Sequence, residues 1–244
     1  MSDISDILFI SVSTIFRCLK NHPKRTPTDG LRLYQTNRCI PLTESEQKLI
    51  YGSLLGDSSL SKRIDGKNTR FHCSHGLKQK DYIAHKYKIL NNSRLNCYTQ
   101  HSGYNKGSKY WRLGYDNFIY LNEIYAITHR NGMKQISHEW MNHVDMEAIS
   151  YWFMDDGSSS WRKRNKYIKN SSIAKFSTQS FTMQDHKLLQ EKFDSYGIGT
   201  TVHKCATGTK LQLSIRANSV QKLFKLMKPY IEKVPSMLYK LKFI

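Results

Sequence analysis

Two aspartates, Asp57 and Asp156, stand where apolar helical stretches run out. Residues 49–56 (Leu49-Ile50-Tyr51-Gly52-Ser53-Leu54-Leu55-Gly56) lead into Asp57-Ser58, and Ala148-Ile149-Ser150-Tyr151-Trp152-Phe153-Met154 lead into Asp155-Asp156-Gly157. A carboxylate at a helix C-terminus sits against the negative end of the macrodipole, at a cost of roughly 0.3–1 kcal/mol. One such acid reads as a solvated loop residue, but two at matching places imply a compensating cation. If the two helices pack side by side, both carboxylates and the last carbonyls converge, and a gathering of oxygen ligands suits Mg²⁺. Gly52, Ser53 and Gly56 permit a close backbone approach on the first helix, whereas the second offers Ser150 beside a bulky Tyr151.

The elements that would position these acids come in two matching sets. Thr43-Glu44-Ser45-Glu46 is a capping box that starts the first helix, and Asp145 is placed to cap the second. Each is followed by a strand (residues 69–75 and 174–180) and then a helix (79–91 and 183–196). Next come a further strand (109–115 and 209–216) and a helix (117–127 and 219–231). A short closing segment ends each set, containing Lys134 in one and Lys240 in the other. The pattern predicts an α+β fold, a duplicated unit ordered helix, strands, helix, strands, helix, with one half over 43–140 and the other over 141–244. Residues 1–42 read as an N-terminal extension, with one apolar-rich helix broken by the Pro-containing segment 22–27.

The strands alternate in character. Arg70, His72 and Ser74 oppose Phe71 and Cys73; Lys175, Ser177 and Gln179 oppose Phe176 and Thr178. Lys210, Gln212, Ser214 and Arg216 oppose Leu211, Leu213 and Ile215. Each half therefore presents one apolar sheet face and one basic, hydrogen-bonding face on which these segments place no acid. Composition agrees. The 244 residues include 38 Lys and Arg against 19 Asp and Glu, a net charge of +19, so a polyanion is the expected partner. An aromatic content of 12% excludes a disordered basic tail. No segment approaches the roughly 20 apolar residues that span a bilayer, so nucleic acid is favoured over a membrane. The scattered cysteines, five in number and with no C-x-x-C pair, argue for a reducing compartment.

Residues 50–58 (Ile50-Tyr51-Gly52-Ser53-Leu54-Leu55-Gly56-Asp57-Ser58) resemble the LAGLIDADG motif, and residues 149–157 resemble its second copy. The chain thus resembles the single-chain, two-motif LAGLIDADG homing endonucleases over roughly residues 43–242. The resemblance implies αββαββα halves with pseudo-two-fold symmetry, a helix pair between the halves and two antiparallel sheets forming a DNA-binding saddle. It implies a monomer that cuts both strands of a long DNA site with Mg²⁺, for which Mn²⁺ substitutes. Asp57 and Asp156 fall on the catalytic, metal-binding position, and the carbonyls of Gly56 and Asp155 on the supporting one. Asp155 departs from the small residue usual there. Lys134 and Lys240 match the basic residues that order water and offset charge at the scissile phosphate. DNA-reading candidates are Arg70, His72, Lys175, Ser177, Gln179, Lys210, Gln212, Ser214 and Arg216. Lys62, Arg63, Arg162 and Lys163 are expected on phosphates, which position without specifying. Two alternatives of the same fold stay open: an intron RNA maturase, with the host intron RNA as partner, and a non-cleaving nucleic-acid-binding protein. The resemblance points to a mitochondrial, organelle-encoded protein, with a bacterial cytoplasm as the other setting.

Other constellations fail on geometry. The histidines of His138-Glu139-Trp140-Met141-Asn142-His143 are one residue too far apart for H-E-x-x-H, so they do not share a helix face. Residues 103–109 have the wrong spacing for a phosphate-binding loop. His72, Cys73, His75, Cys97 and His101 make a poor zinc set, because His72 and His75 face opposite sides of one strand.

Overall fold

In the computed structural model of the protein the described residues are 40–62, 68–101, 106–162, 171–205, 208 and 210–241. The extension expected over 1–42 lies, except for its end, outside them. Helix α1 (Glu44–Leu55) begins at the expected capping box: Thr43 Oγ1 accepts from the Glu46 amide, and Glu46 Oε2 accepts from the Thr43 amide at 2.8 Å. It is followed by β1 (Ser59–Lys62), β2 (Thr69–Gly76), α2 (Lys80–Ile89), β3 (Arg94–Thr99), β4 (Lys109–Tyr115) and α3 (Phe118–Thr128). A hairpin of β5 (His129–Arg130) and β6 (Met133–Lys134) and the short α4 (His138–Asn142) lead to α5 (Met146–Asp156). Asp145 caps α5 as expected, accepting from the Ala148 amide at 2.9 Å.

The order then repeats with β7 (Gly157–Arg162), β8 (Ser171–Phe176), α6 (Met183–Asp194), β9 (Thr200–Lys204), β10 (Leu211–Ile215) and α7 (Val220–Ile231). A 3₁₀ segment (Pro235–Leu241) follows. The two four-stranded antiparallel sheets have the matched orders β1-β2-β4-β3 and β7-β8-β10-β9. The sequence pattern does not delimit the outer strands β1, β3, β7 and β9. These run short or carry little apolar alternation, and pairing to an inner neighbour defines them.

One strand differs from expectation. The run expected over 174–180 begins earlier and stops at Phe176. Beyond it the Thr178 hydroxyl accepts from the Leu213 amide at 2.9 Å, taking the place of a main-chain ladder partner. The alternation of burial continues through Gln179 although the strand does not.

Helices α1 and α5 lie against each other at the centre. A Cβ on Gly52 would stand 2.1 Å from the Ala148 carbonyl oxygen, and one on Gly56 would stand 2.6 Å from Asp155 Cβ. The small residues of α1 therefore do permit close approach, but they meet Ala148 and Asp155. Ser150 instead bonds back to the Met146 carbonyl at 2.7 Å. Outside this seam, α5 packs on the second sheet: the Trp152 ring lies 4.2 Å from that of Phe176, and Phe153 lies 5.3 Å from the same ring. On the other side, Leu49, Leu54, Phe71 and Leu113 are fully buried. Asp185 ties the end of the first half to the second. One oxygen closes the capping box of α6 with Thr182, and the other accepts from the Ile136 amide at 2.8 Å.

Because the backbone of Ala148 fills the space beside Gly52, even a methyl group forces the helices apart. Gly52→Ala is expected to lower unfolding free energy by about 2–3 kcal/mol, measured by urea denaturation.

Candidate active site and nucleic-acid interface

The close seam brings the ends of α1 and α5 together. Asp156 is the last residue of α5, and Asp57 follows the Gly56 that ends α1. Their carboxyl groups are in hydrogen-bond contact. Asp57 keeps access to solvent, yet the protein packed around its carboxyl group raises its pKa, and the Asp155 charge adds to the rise. Asp156 is half-buried and pushed up to about 7, first by burial and then by the Asp57 charge. Two carboxylates in contact cannot both ionise freely without a cation between them. This donor set fits a divalent metal, with Asp57 and Asp156 as its holders.

The two lysines expected in equivalent roles do occupy equivalent places. Lys134 Nζ donates to the carbonyls of Leu54 at 2.8 Å and Ser58 at 2.7 Å. Lys240 is buried, and its Nζ donates to the carbonyls of Phe153 at 3.1 Å, Met154 at 2.5 Å and Asp155 at 3.0 Å. Each ammonium thus closes the C-terminal end of the motif helix of its own half. Part of the cation that the helix-end acids call for is therefore supplied by the chain itself. Burial lowers both lysine pKa values, opposed by the charges of Asp57, Asp155 and Asp156. The Asp155 carbonyl points at Lys240, while Gly56 packs on Asp155 Cβ.

The Asp155 side chain turns away from Asp156 into the protein. There it meets Tyr82 and Lys86 of α2 and His75 of β2. None of these three is identified as a site residue by sequence reasoning. His75 enters only the rejected zinc set, and Tyr82 and Lys86, one helical turn apart, look like an ordinary helix face. Among the described residues, Asp57, His75 and Asp155 are the group of three whose ligand atoms lie close together, within 4.8 Å. The argument against His72 and His75 sharing a metal holds, since His75 is buried and His72 lies on the opposite face.

The polar faces of the sheets carry most of the expected DNA readers. Arg70, His72 and Ser74 of β2 point away from the core as the alternation requires. They form rows with their neighbours: His72 pairs Gly114, which pairs Arg94, and Ser74 pairs Arg112, which pairs Asn96. Arg70, His72, Arg94, Asn96, Tyr98, Arg112 and Gly114 line one hollow, open where Gly114 lacks a side chain. Arg94, Asn96 and Arg112 are absent from the sequence-derived readers. Arg112 sits on the alternate positions of a strand whose range is correctly expected, and that signal could have found it.

An acid does stand at the edge of this face. Asp116, just beyond β4, clamps both Arg70 and Arg94, contrary to the acid-free surface expected. His72 is held down to about 4 by burial and by the neighbouring Arg112 and Arg70 charges.

On the second sheet Lys175, Gln179 and Gln212 are half-buried, and Ser177, Lys210 and Arg216 are exposed. Ser177 and Gln179 lie past the end of β8. Ser214 is not an open reader: it is buried, and its hydroxyl contacts His203 Nε2 at 3.3 Å. Lys62 is exposed, with its ammonium 4.4 Å from the Tyr125 ring centre. Arg63, Lys163 and the Arg162 side chain lie outside the described residues.

The model of the LAGLIDADG DNA endonuclease family matches residues 47–223, and the chain belongs to that family. It is 30% identical over 211 residues to the cytochrome b mRNA maturase bI2 of Debaryomyces hansenii, covering 82% of this chain and 75% of that protein. It is 26% identical over 240 residues to a RecA protein of Mycolicibacterium flavescens, with 93% of this chain aligned to 55% of that one. The chain therefore spans about half the length of that relative. Among solved structures, the homing endonuclease I-WcaI bound to its DNA recognition sequence superposes with a TM-score of 0.74 at 20% identity, covering 100% of both chains. The likeness establishes the duplicated fold. No described helix is long and apolar enough to cross a membrane.

Because the folded state raises Asp156 from its ordinary value to about 7, the metal-free native protein binds a proton that the unfolded chain releases. Stability from this group is present at low pH and falls as pH rises through about 7. Urea denaturation of the metal-free protein between pH 5 and 8 should show this decline, and Asp156→Asn should flatten it.

Proposed function

We propose that the chain is a site-specific double-strand DNA endonuclease of the homing type. It hydrolyses phosphodiester bonds in a long site with Mg²⁺ held by Asp57 and Asp156, and Mn²⁺ serves as a substitute. The observation that carries this reading is the contact of two motif carboxyl groups, both with raised pKa, at the meeting point of two matched helices. Two sheets of matched strand order belong to the same fold, one from each half.

A divalent ion bound there would neutralise charge on the phosphate and sharpen a water molecule as nucleophile. The chain's own residues do the rest. Asp57 and Asp156 present one carboxylate from each half, so one charge centre serves each strand of a duplex. Lys134 and Lys240 hold the helix ends fixed and keep positive charge beside the carboxylates, where a phosphate approaches. The Gly56 carbonyl would be a supporting oxygen, whereas the Asp155 carbonyl is taken by the Lys240 ammonium at 3.0 Å and is not offered to a metal.

Base reading falls to Arg70, His72 and Arg112 on the first sheet and to Lys175 and Gln212 on the second, with Ser177, Gln179, Lys210 and Arg216 just beyond its strand ends. Lys62, Arg63, Arg162 and Lys163 contact phosphates. The duplicated fold makes a monomer sufficient, and the relatedness to fungal cytochrome b maturases supports a mitochondrial origin.

A second reading has its own support. The relative from Debaryomyces hansenii is an mRNA maturase, and its 30% identity makes host intron RNA a second candidate partner. Splicing assistance would use the basic surfaces without the carboxylate pair.

Incubation with a plasmid carrying the intronless insertion site, in Mg²⁺ and in Ca²⁺, tests the nuclease reading. Asp57→Asn and Asp156→Asn should each abolish double-strand cutting while leaving DNA affinity within about threefold. Full cutting by both variants would refute the assignment. Arg112→Ala should weaken specific binding by about 1–3 kcal/mol in a gel-shift titration, and relax preference at one position.

A further inference from the structure

Behind the two motif acids lies a third carboxylate, that of Asp155, with no solvent access to its side chain. The Lys86 ammonium, equally enclosed, stands 2.7 Å from Asp155 Oδ1, and the Tyr82 hydroxyl donates to the same oxygen at 2.8 Å. Lys86 Nζ also lies 4.5 Å from the centre of the Tyr82 ring, a cation–π contact that helps hold it. His75 Nδ1 donates to Gln79 Oε1 at 3.1 Å, which leaves Nε2 with its lone pair. That lone pair faces Asp155 Oδ1 at 3.7 Å. Asp155 Oδ2 and His75 Nε2 are both buried and without a hydrogen-bond partner.

One donor atom from each of Asp57, His75 and Asp155 lies within 4.8 Å of the others. Two carboxylates and a neutral imidazole form a set that Mn²⁺ or another transition ion would enter. The cation already held there is the Lys86 ammonium. A buried carboxylate needs a positive partner, and Lys86 supplies it at contact distance. A second cation on the same carboxylate would face that ammonium with no water between them.

We propose that Lys86 is a positioning residue. It is a built-in cation that fixes Asp155 and keeps divalent metal out of the Asp57–His75–Asp155 pocket, so that Asp57 remains free to face Asp156. This rests on the reading of Asp57 and Asp156 as the metal-holding pair. The arrangement has no counterpart on the first motif, where the matching residue is Gly56.

Direct Mn²⁺ binding by the full chain without DNA, read by electron paramagnetic resonance and calorimetry, tests this without requiring cleavage. Wild type and K86R should show only the weak site of the Asp57–Asp156 pair. K86M should gain a site at least about tenfold tighter, because three ligands are then left without their resident cation. Adding H75A or D155N to K86M should remove that gain. K86Q is measured alongside in case K86M does not fold, as judged by circular dichroism. Two results would overturn the proposal: tight Mn²⁺ binding by wild type that H75A alone removes, or no gain in K86M and K86Q. A protein that fails to cut DNA but shows the expected Mn²⁺ pattern would refute the nuclease reading and leave the role of Lys86 standing.

Discussion

The approach of α1 to α5, close enough that Gly52 has no room for a methyl group beside Ala148, governs what the rest of the molecule can do. Two helices held at that distance deliver their C-terminal ends to one point. The acids that follow are then within hydrogen-bond reach, although they come from opposite halves of the chain. A wider crossing, of the kind set by leucine-lined seams, would separate the carboxyl groups and dissolve the shared site.

Bringing negative groups together at two negative helix ends is unfavourable, and the molecule answers with three lysines used in different ways. Lys134 and Lys240 turn inward to the terminal carbonyls and spend no hydrogen bond on the carboxylates. Lys86 goes to a carboxylate directly, deep in the protein. The helix termini are thereby satisfied without neutralising Asp57 and Asp156, whose remaining mutual repulsion keeps them receptive to a cation. Pairing each acid with its own lysine would have given a more stable and chemically inert arrangement.

Much of this was legible in the residues. The capping box at Thr43, the Asp145 cap, the glycines of α1 and the two helix-ending aspartates all act through local patterns, and local patterns are what a sequence displays. The alternation in β2 correctly separated Arg70 and His72 from Phe71 and Cys73. It failed at Ser214, which faces the polar side but is covered by His203 of the neighbouring strand, a matter of pairing and not of periodicity. Asp116 carries no signal in the strand pattern because it lies one residue beyond β4, yet its carboxylate reaches two arginines from different strands. His75, Tyr82 and Lys86 were invisible for a related reason. Their meaning depends on Asp155, which is distant in the chain and adjacent only once α2 packs behind the second motif.

The pairing of Gly56 with Asp155 has an implication for how such a chain can be assembled. Two copies of the second half, joined about the same axis, would set one Asp155 on the other, and their Cβ atoms would contest the space that Gly56 leaves open. Two copies of the first half would bury two Lys86 ammonium groups with no acid to receive them. Neither half can therefore serve as its own partner. Within this seam the two halves are complementary and not interchangeable: the acid behind the second motif is received by a lysine of the first half, in the space beside Gly56.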